Sequence, residues 1–216
     1  MQDKNRFGFD AIEVGQPFVE IPKRKAFPLR MLIRITEIVM KKELLPARIL
    51  LCYPKTLLAS GVMESLVAHN EKSLGKRLLK LVRMQTSFAV SCPFCIDMNS
   101  FRHEQFKITE QEIYALQGKL SLSEVSTFSL REKLALEYAS SASGAPLSFS
   151  VELIRQLKEN FTDRDMVILA STIAQVNYWG RLIQALGVPP AGFSKECSYL
   201  YLNRYITLKS AHEPEK

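Results

Sequence analysis

A chain of 216 residues, 47% hydrophobic and 24% charged, carries enough apolar material for one well-buried core and is short for two independent domains. No stretch approaches the roughly 18 apolar residues of a membrane span, and the first ten residues lack the apolar core of a secretory signal, so the expectation is a cytoplasmic protein with no membrane partner. The net charge of +7 invites a nucleic-acid reading. However, the cluster Lys23, Arg24, Lys25, Arg30, Arg34 has no interleaved stacking aromatics and fits no nucleic-acid motif; it reads as a solvated or oligomer-facing surface, and no nucleic-acid partner is expected.

Residues 1–28, with Pro17, Pro22 and Pro28 among Phe7, Phe9, Phe18 and Phe27, predict an irregular arm that lays aromatics on the body or on a neighbouring subunit. Residues 29–210 then form one helical domain. Leu32, Ile33, Ile35, Ile38 and Val39 recur at helical spacing over about 29–44. Pro46 and Pro54 bracket a short piece, and the stretches 56–70 and 74–90 read as two amphipathic helices with a turn at Glu71-Lys72-Ser73. A cysteine-bearing helix is expected to run from Ser91 to about Lys107. Thr109-Glu110-Gln111-Glu112 and Ser129-Leu130-Arg131-Glu132 are capping boxes; the first opens a short helix ended by Gly118, the second a helix to about Ser143. A helix over about 150–160 follows, and Thr162-Asp163-Arg164-Asp165 opens the longest one, which runs to Leu186 and stops at Gly187 with Pro189 and Pro190. A last segment, roughly 195–209, carries Tyr199, Tyr201 and Tyr205. Nowhere does an alternating strand pattern persist, so the predicted fold class is all-α.

The stretch with chemistry in it is Ser91-Cys92-Pro93-Phe94-Cys95-Ile96-Asp97-Met98-Asn99. Positions i and i+3 of a helix are neighbours with Cβ atoms roughly 5–6 Å apart, compatible with disulfide Cα–Cα distances of about 4.4–6.8 Å. Ser91 is the expected N-cap and Pro93 fits the first turn. Both sulfurs then lie at the positive end of the helix dipole, where thiols titrate below their free value near 8.5. In a reducing compartment such a pair is catalytic or metal-binding rather than a staple. A structural zinc needs four ligands, and Cys52, Cys197, His69, His103 and His212 stand in no ligand spacing, so no metal or other cofactor is expected. Cys52 and Cys197 read as buried small hydrophobes. The thioredoxin reading requires a βαβ setting, which an all-α chain lacks.

Taken with their flanks, Ser87-Phe88-Ala89-Val90-Ser91 and Cys92-Pro93-Phe94-Cys95-Ile96-Asp97-Met98 resemble the alkylhydroperoxidase D-like branch of the carboxymuconolactone decarboxylase superfamily. The run from Phe161-Thr162-Asp163 through Asn177-Tyr178-Trp179-Gly180-Arg181 to Leu186-Gly187-Val188-Pro189 is similar to the closing helix of its longer members, and the resemblance covers about residues 55–190. It implies a helical bundle that assembles as a homo-oligomer, trimer or hexamer. It also implies a thiol-dependent peroxidase in which Cys95 attacks the hydroperoxide and Cys92 resolves the sulfenic acid as a disulfide, with a thiol or disulfide electron donor. The family's glutamate twelve residues before the first cysteine and histidine four after the second are Lys80 and Asn99 in this chain. Asn99 orients a water but takes up no proton, and Lys80 is an ordinary poor base. His103, about 12 Å along a straight helix from Cys95, joins a relay only through water or from a packed neighbour, as do Glu64 and His69.

The expected function is therefore hydroperoxide reduction through a Cys92/Cys95 cycle in antioxidant defence, with Cys95, Cys92, His103, Asn99 and Lys80 as site residues. The alternatives are a lactone decarboxylase, whose chemistry requires no dithiol, and a helical binding or scaffold protein that has lost the relay. Phe88, Phe94, Met98, Phe101 and Phe106 read mostly as core, with a substrate pocket as the alternative. Asp97 and Glu104 are expected to be solvated or paired with a base, and Trp179 and Arg181 to lie in a subunit contact or, for Trp179, in the core.

Overall fold

Hydroxyl caps set most of the later helix starts. Thr109, Ser129 and Thr162 each accept the backbone N–H three residues on, while Glu112, Glu132 and Asp165 return the bond to the capping residue's own N–H; Ser150 caps a fourth helix through Leu153 N–H. Each such cap is worth about 1 kcal/mol. The computed structural model describes residues 17–22, 27–67 and 72–194. Among these the order is α1 (Phe27–Met40), α2 (Leu45–Leu50), α3 (Pro54–Val67), α4 (Gly75–Ala89), α5 (Pro93–Ser100), a 3₁₀ turn (His103–Phe106), α6 (Glu110–Leu116), α7 (Leu130–Ser141), α8 (Val151–Asn160) and α9 (Asp163–Ala185). The described residues contain no strand, and no helix among them is long and apolar enough to cross a membrane.

α4 is the axis of the bundle because it is apolar on two faces. Leu78, Leu79 and Val82 pack with Leu134 and Ala139 of α7, Leu157 of α8 and Leu169 and Ile173 of α9. Leu81 and Met84 turn to Ile113 and Leu116 of α6, Val125, Phe128 and Leu136. Each fully buried Leu or Met contributes about 1.5–3 kcal/mol, so these faces fix α4 against α6, α7 and α9. Between them Arg77 donates to Glu112 at 2.6 Å and to Glu132 at 2.8 Å, and to the carbonyls of Phe106 and Lys107. The two capping-box glutamates are thereby tied to one guanidinium and to the 3₁₀ turn.

A third cluster, Ile49, Cys92, Phe94, Cys95, Ile183, Val188 and Phe193, joins α2, α5 and the end of α9. Glu37 of α1 receives Arg48 of α2 in a fork of two bonds, each 2.7 Å, which fixes α1 beside α2. Residues 17–22 form no helix; Phe18 N–H donates to Leu186 O at 2.9 Å, and its ring occupies the space a Cβ on Gly187 would need. Phe7, Phe9, His69, Cys197, His212 and the tyrosine segment lie outside the described residues.

Four expectations need correction. Ser91 is not the N-cap: α4 ends in a Schellman motif in which Ser91 takes the left-handed conformation (φ 51°), Ser91 N–H donates to Phe88 O and Cys92 N–H to Ser87 O. The cap of α5 is Cys92 itself, whose sulfur accepts Cys95 N–H at 3.2 Å. Nor does the cysteine helix reach Lys107; it stops at Ser100, because Phe101 turns extended and Arg102 left-handed (φ 55°). Asp97 is neither solvated nor paired with a base. It is 2% exposed and accepts the backbone N–H groups of Ala191, Phe193 and Ser194 at 3.0, 2.9 and 2.7 Å. Finally, Cys52 is exposed, its thiol donating to Glu20 O at 3.4 Å.

Candidate functional site

The Schellman turn at Ser91 delivers the chain directly into α5, so Cys92 and Cys95 bracket the first helical turn with Cα atoms 5.2 Å apart and joined as a disulfide. Both are buried, but not equally placed. Cys92 is 0% exposed and faces the third core cluster. Cys95 also lines a cavity of about 580 Å³, within the range of small-molecule sites. α9 can lie this close to the cysteine segment because Gly180 has no side chain: a Cβ there would fall 2.7 Å from Val90 Cγ2 and 3.6 Å from Cys92 Cβ.

Six helices contribute to the lining of the cavity. α5 presents one face, Phe94, Cys95, Met98 and Asn99, as the period of 3.6 requires. Thr36 of α1, Leu44, Pro46 and Ala47 at α2, Leu57, Ser60 and Gly61 of α3, and Val176, Trp179 and Ile183 of α9 supply a predominantly apolar wall. Among the described residues, the charged side chains in the lining are Glu64 of α3 and Arg83 of α4. Glu64 Oε2 accepts Trp179 Nε1–H at 3.0 Å and the amide of Gln175, while Oε1 lies 3.9 Å from Arg83 Nη1. Burial pushes the Arg83 guanidinium below its ordinary value, with the Glu64 carboxylate opposing. Asn99 donates its amide to Ser87 Oγ at 2.9 Å, and Ser87 in turn donates to Arg83 O. The Asn99 nitrogen is therefore anchored on α4.

Of the sequence-predicted site residues, Cys95 and Asn99 share the cavity and Cys92 stands behind as the disulfide partner. Lys80 and His103 do not line it. Lys80 Nζ donates to Phe101 O at 2.9 Å, at the C-terminal end of α5, where a cation complements the helix dipole; burial, with the charge of Arg83 nearby, lowers its pKa to about 8. His103 is buried with Nδ1 3.1 Å from Ser100 O. With α5 ending at Ser100, His103 belongs to the 3₁₀ turn, so the two-turn helical path from Cys95 does not exist. Of the aromatics, Phe94 faces both cavity and core and Met98 the cavity; Phe101 packs on Phe193, while Phe88 and Phe106 join the second core cluster. Trp179 is a cavity residue, Arg181 and Glu104 are exposed.

Sequence reasoning missed Gln175 and Arg83. Their signal is present but faint: Gln175 is a lone amide on the face of α9 that otherwise shows Val176, Trp179 and Ile183, and Arg83 interrupts the apolar run from Leu78 to Met84.

No family model matches the chain. The uncharacterized protein YdfG of Bacillus subtilis (strain 168) is 30% identical over 118 residues, which span 54% of this chain and 78% of YdfG. Among solved structures, the alkylhydroperoxidase AhpD core of an uncharacterized peroxidase-related protein from Ralstonia eutropha JMP134 superposes with a TM-score of 0.66 at 16% identity, covering 84% of this chain and 94% of that one. The debrominase Bmp8, solved with 2,3,4-tribromopyrrole, gives a TM-score of 0.67 at 16% identity, covering 80% and 90%. The chain thus belongs to one family with YdfG and has the alkylhydroperoxidase D-like fold.

Proposed function

We propose that the protein is a dithiol oxidoreductase that reduces organic hydroperoxides through a Cys92/Cys95 cycle. The observation that carries this reading is the asymmetry of the pair: Cys95 lines an apolar cavity of about 580 Å³ and Cys92 is its fully buried disulfide partner. Cys95 is then the sulfur that meets substrate. Its attack forms an S–O bond and breaks the O–O bond, leaving a sulfenic acid and an alcohol; Cys92 displaces water from that sulfenic acid to close the disulfide. An external dithiol reopens it. Asn99 is assigned the orientation of a water or of the peroxide beside Cys95, since its nitrogen is held by Ser87 and it faces the cavity. Lys80 and His103 are assigned to holding the end of α5 rather than to a relay. The exposed apolar residues Met31, Leu32, Ile35 and Ile38 of α1 and Leu58 and Val62 of α3 support a homo-oligomer. The apolar lining favours a hydrocarbon-bearing hydroperoxide over hydrogen peroxide.

The test is a thiol count on the fully reduced protein before and after one equivalent of cumene hydroperoxide, followed by a dithiol. The expected result is loss of two thiols and their recovery. Survival of both thiols removes the proposal and turns attention to binding of small halogenated aromatics, the ligand class of the debrominase neighbour.

A further inference from the structure

Thiol attack on a peroxide requires a group that takes the thiol proton and returns one to the departing alkoxide. Among the described residues, the cavity lining contains three ionisable side chains: Cys95, Arg83 and Glu64. Arg83 keeps its proton at any accessible pH. Glu64 remains, on α3, a helix that carries neither cysteine. Its carboxylate is held rather than free: Trp179 Nε1–H at 3.0 Å and the Gln175 amide both donate to Oε2, and the guanidinium of Arg83 faces Oε1. Trp179 and Gln175 stand one helical turn apart on α9, so both donors come from a single rigid face. Such an arrangement fixes the orientation of a carboxylate in the lining that Cys95 shares.

We infer that Glu64 is the proton carrier of the site, with Gln175 and Trp179 as its positioning residues. This rests on the proposed peroxide chemistry. In the first step Glu64 accepts the Cys95 thiol proton, directly or through one water, as the sulfur bonds the distal peroxide oxygen; the O–O bond breaks, sulfur loses two electrons, and Glu64 gives the proton to the alkoxide, which leaves as the alcohol. In the second step the Cys92 proton passes to the sulfenic oxygen, which leaves as water while the S–S bond forms. Glu64 begins and ends each step as carboxylate. Among the described residues, the charged and titratable groups that share the lining with it are Arg83 from α4 and Cys95 from α5; α9 contributes Gln175 and Trp179, α1 Thr36.

A carrier and a merely structural carboxylate are separated by comparing two reactions of the same thiol. Reduction of cumene hydroperoxide needs a proton for its leaving group; alkylation by iodoacetamide, which expels iodide, does not. Reduced wild type, Glu64→Gln and Glu64→Asp are assayed for both across pH 5–9. The expected result is a loss of about 100-fold in the peroxide rate constant for Glu64→Gln, partial rescue by Glu64→Asp, and an alkylation rate at Cys95 equal to or above wild type, since a nearby negative charge has been removed. Equal losses in both reactions, or no loss in either, overturn the assignment while leaving the peroxidase reading intact. Failure of wild type to react with the peroxide at all overturns both.

Discussion

The cavity face of α5 and the surroundings of its C-terminal end use polar groups differently. On that face, Cys95 and Asn99 line a cavity shared with Glu64 and Arg83; past the end of the helix, Lys80 of α4 and His103 of the 3₁₀ turn bond main-chain carbonyls, Phe101 O and Ser100 O. A lysine of lowered pKa and a buried histidine near a cysteine pair are the residues that a search for acid–base chemistry selects first. Here both bond main-chain carbonyls and neither lines the cavity, while a carboxylate from another element does. Perturbed titration marks burial as readily as catalysis.

Substitutions at the two places separate these roles. The largest effect is expected from Cys95→Ser, which abolishes peroxide-dependent thiol loss, whereas His103→Gln stays within about threefold of wild type in the same stopped-flow assay once folding is matched by circular dichroism. A comparable loss at His103 would return the relay to the end of the helix.

On stability, Asp97→Ala is the most damaging change. It leaves three N–H groups of the 191–194 segment without their charged acceptor and unseats Phe193 from Phe94 and Phe101; a cost of about 3 kcal/mol is expected in urea unfolding. Next is Lys80, whose proton is held more weakly in the folded chain, with a pKa of about 8 against its ordinary 10.5. Between those values the unfolded state holds the extra proton, so this group makes stability rise as pH climbs from 8 to 10.5, and Lys80→Met removes the rise. Allowing for the part of the ammonium that still meets water, the swing is about 1–2 kcal/mol, read as the pH dependence of the urea midpoint. The smallest effect is Gly180→Ala, which presses α9 off Val90 and costs about 1 kcal/mol.

Much of the fold was legible before the structure. The capping hydroxyls at Thr109, Ser129 and Thr162 announce helix starts because their signal is local, and each cap is in place. The end of the cysteine helix was not legible, since Phe101 and Arg102 carry no breaker; the turn there is imposed by tertiary partners, Phe193 and Lys80. Ser91 was misread because serine commonly caps helix starts, while its left-handed place in a Schellman turn is one usually filled by glycine. The cavity itself was the least legible part. Glu64, Arg83, Gln175 and Trp179 are spread over three helices and meet only through packing, so no spacing in the chain joins them.

The most direct test of the account is to map sulfenic acid on the two single-cysteine variants. Reduced Cys92→Ser and Cys95→Ser are each treated with one equivalent of cumene hydroperoxide in the presence of dimedone, and the adduct is located by peptide mass spectrometry. The account predicts an adduct on Cys95 in Cys92→Ser and none on Cys92 in Cys95→Ser, because only Cys95 meets the cavity. An adduct on Cys92, or on neither sulfur, would contradict it.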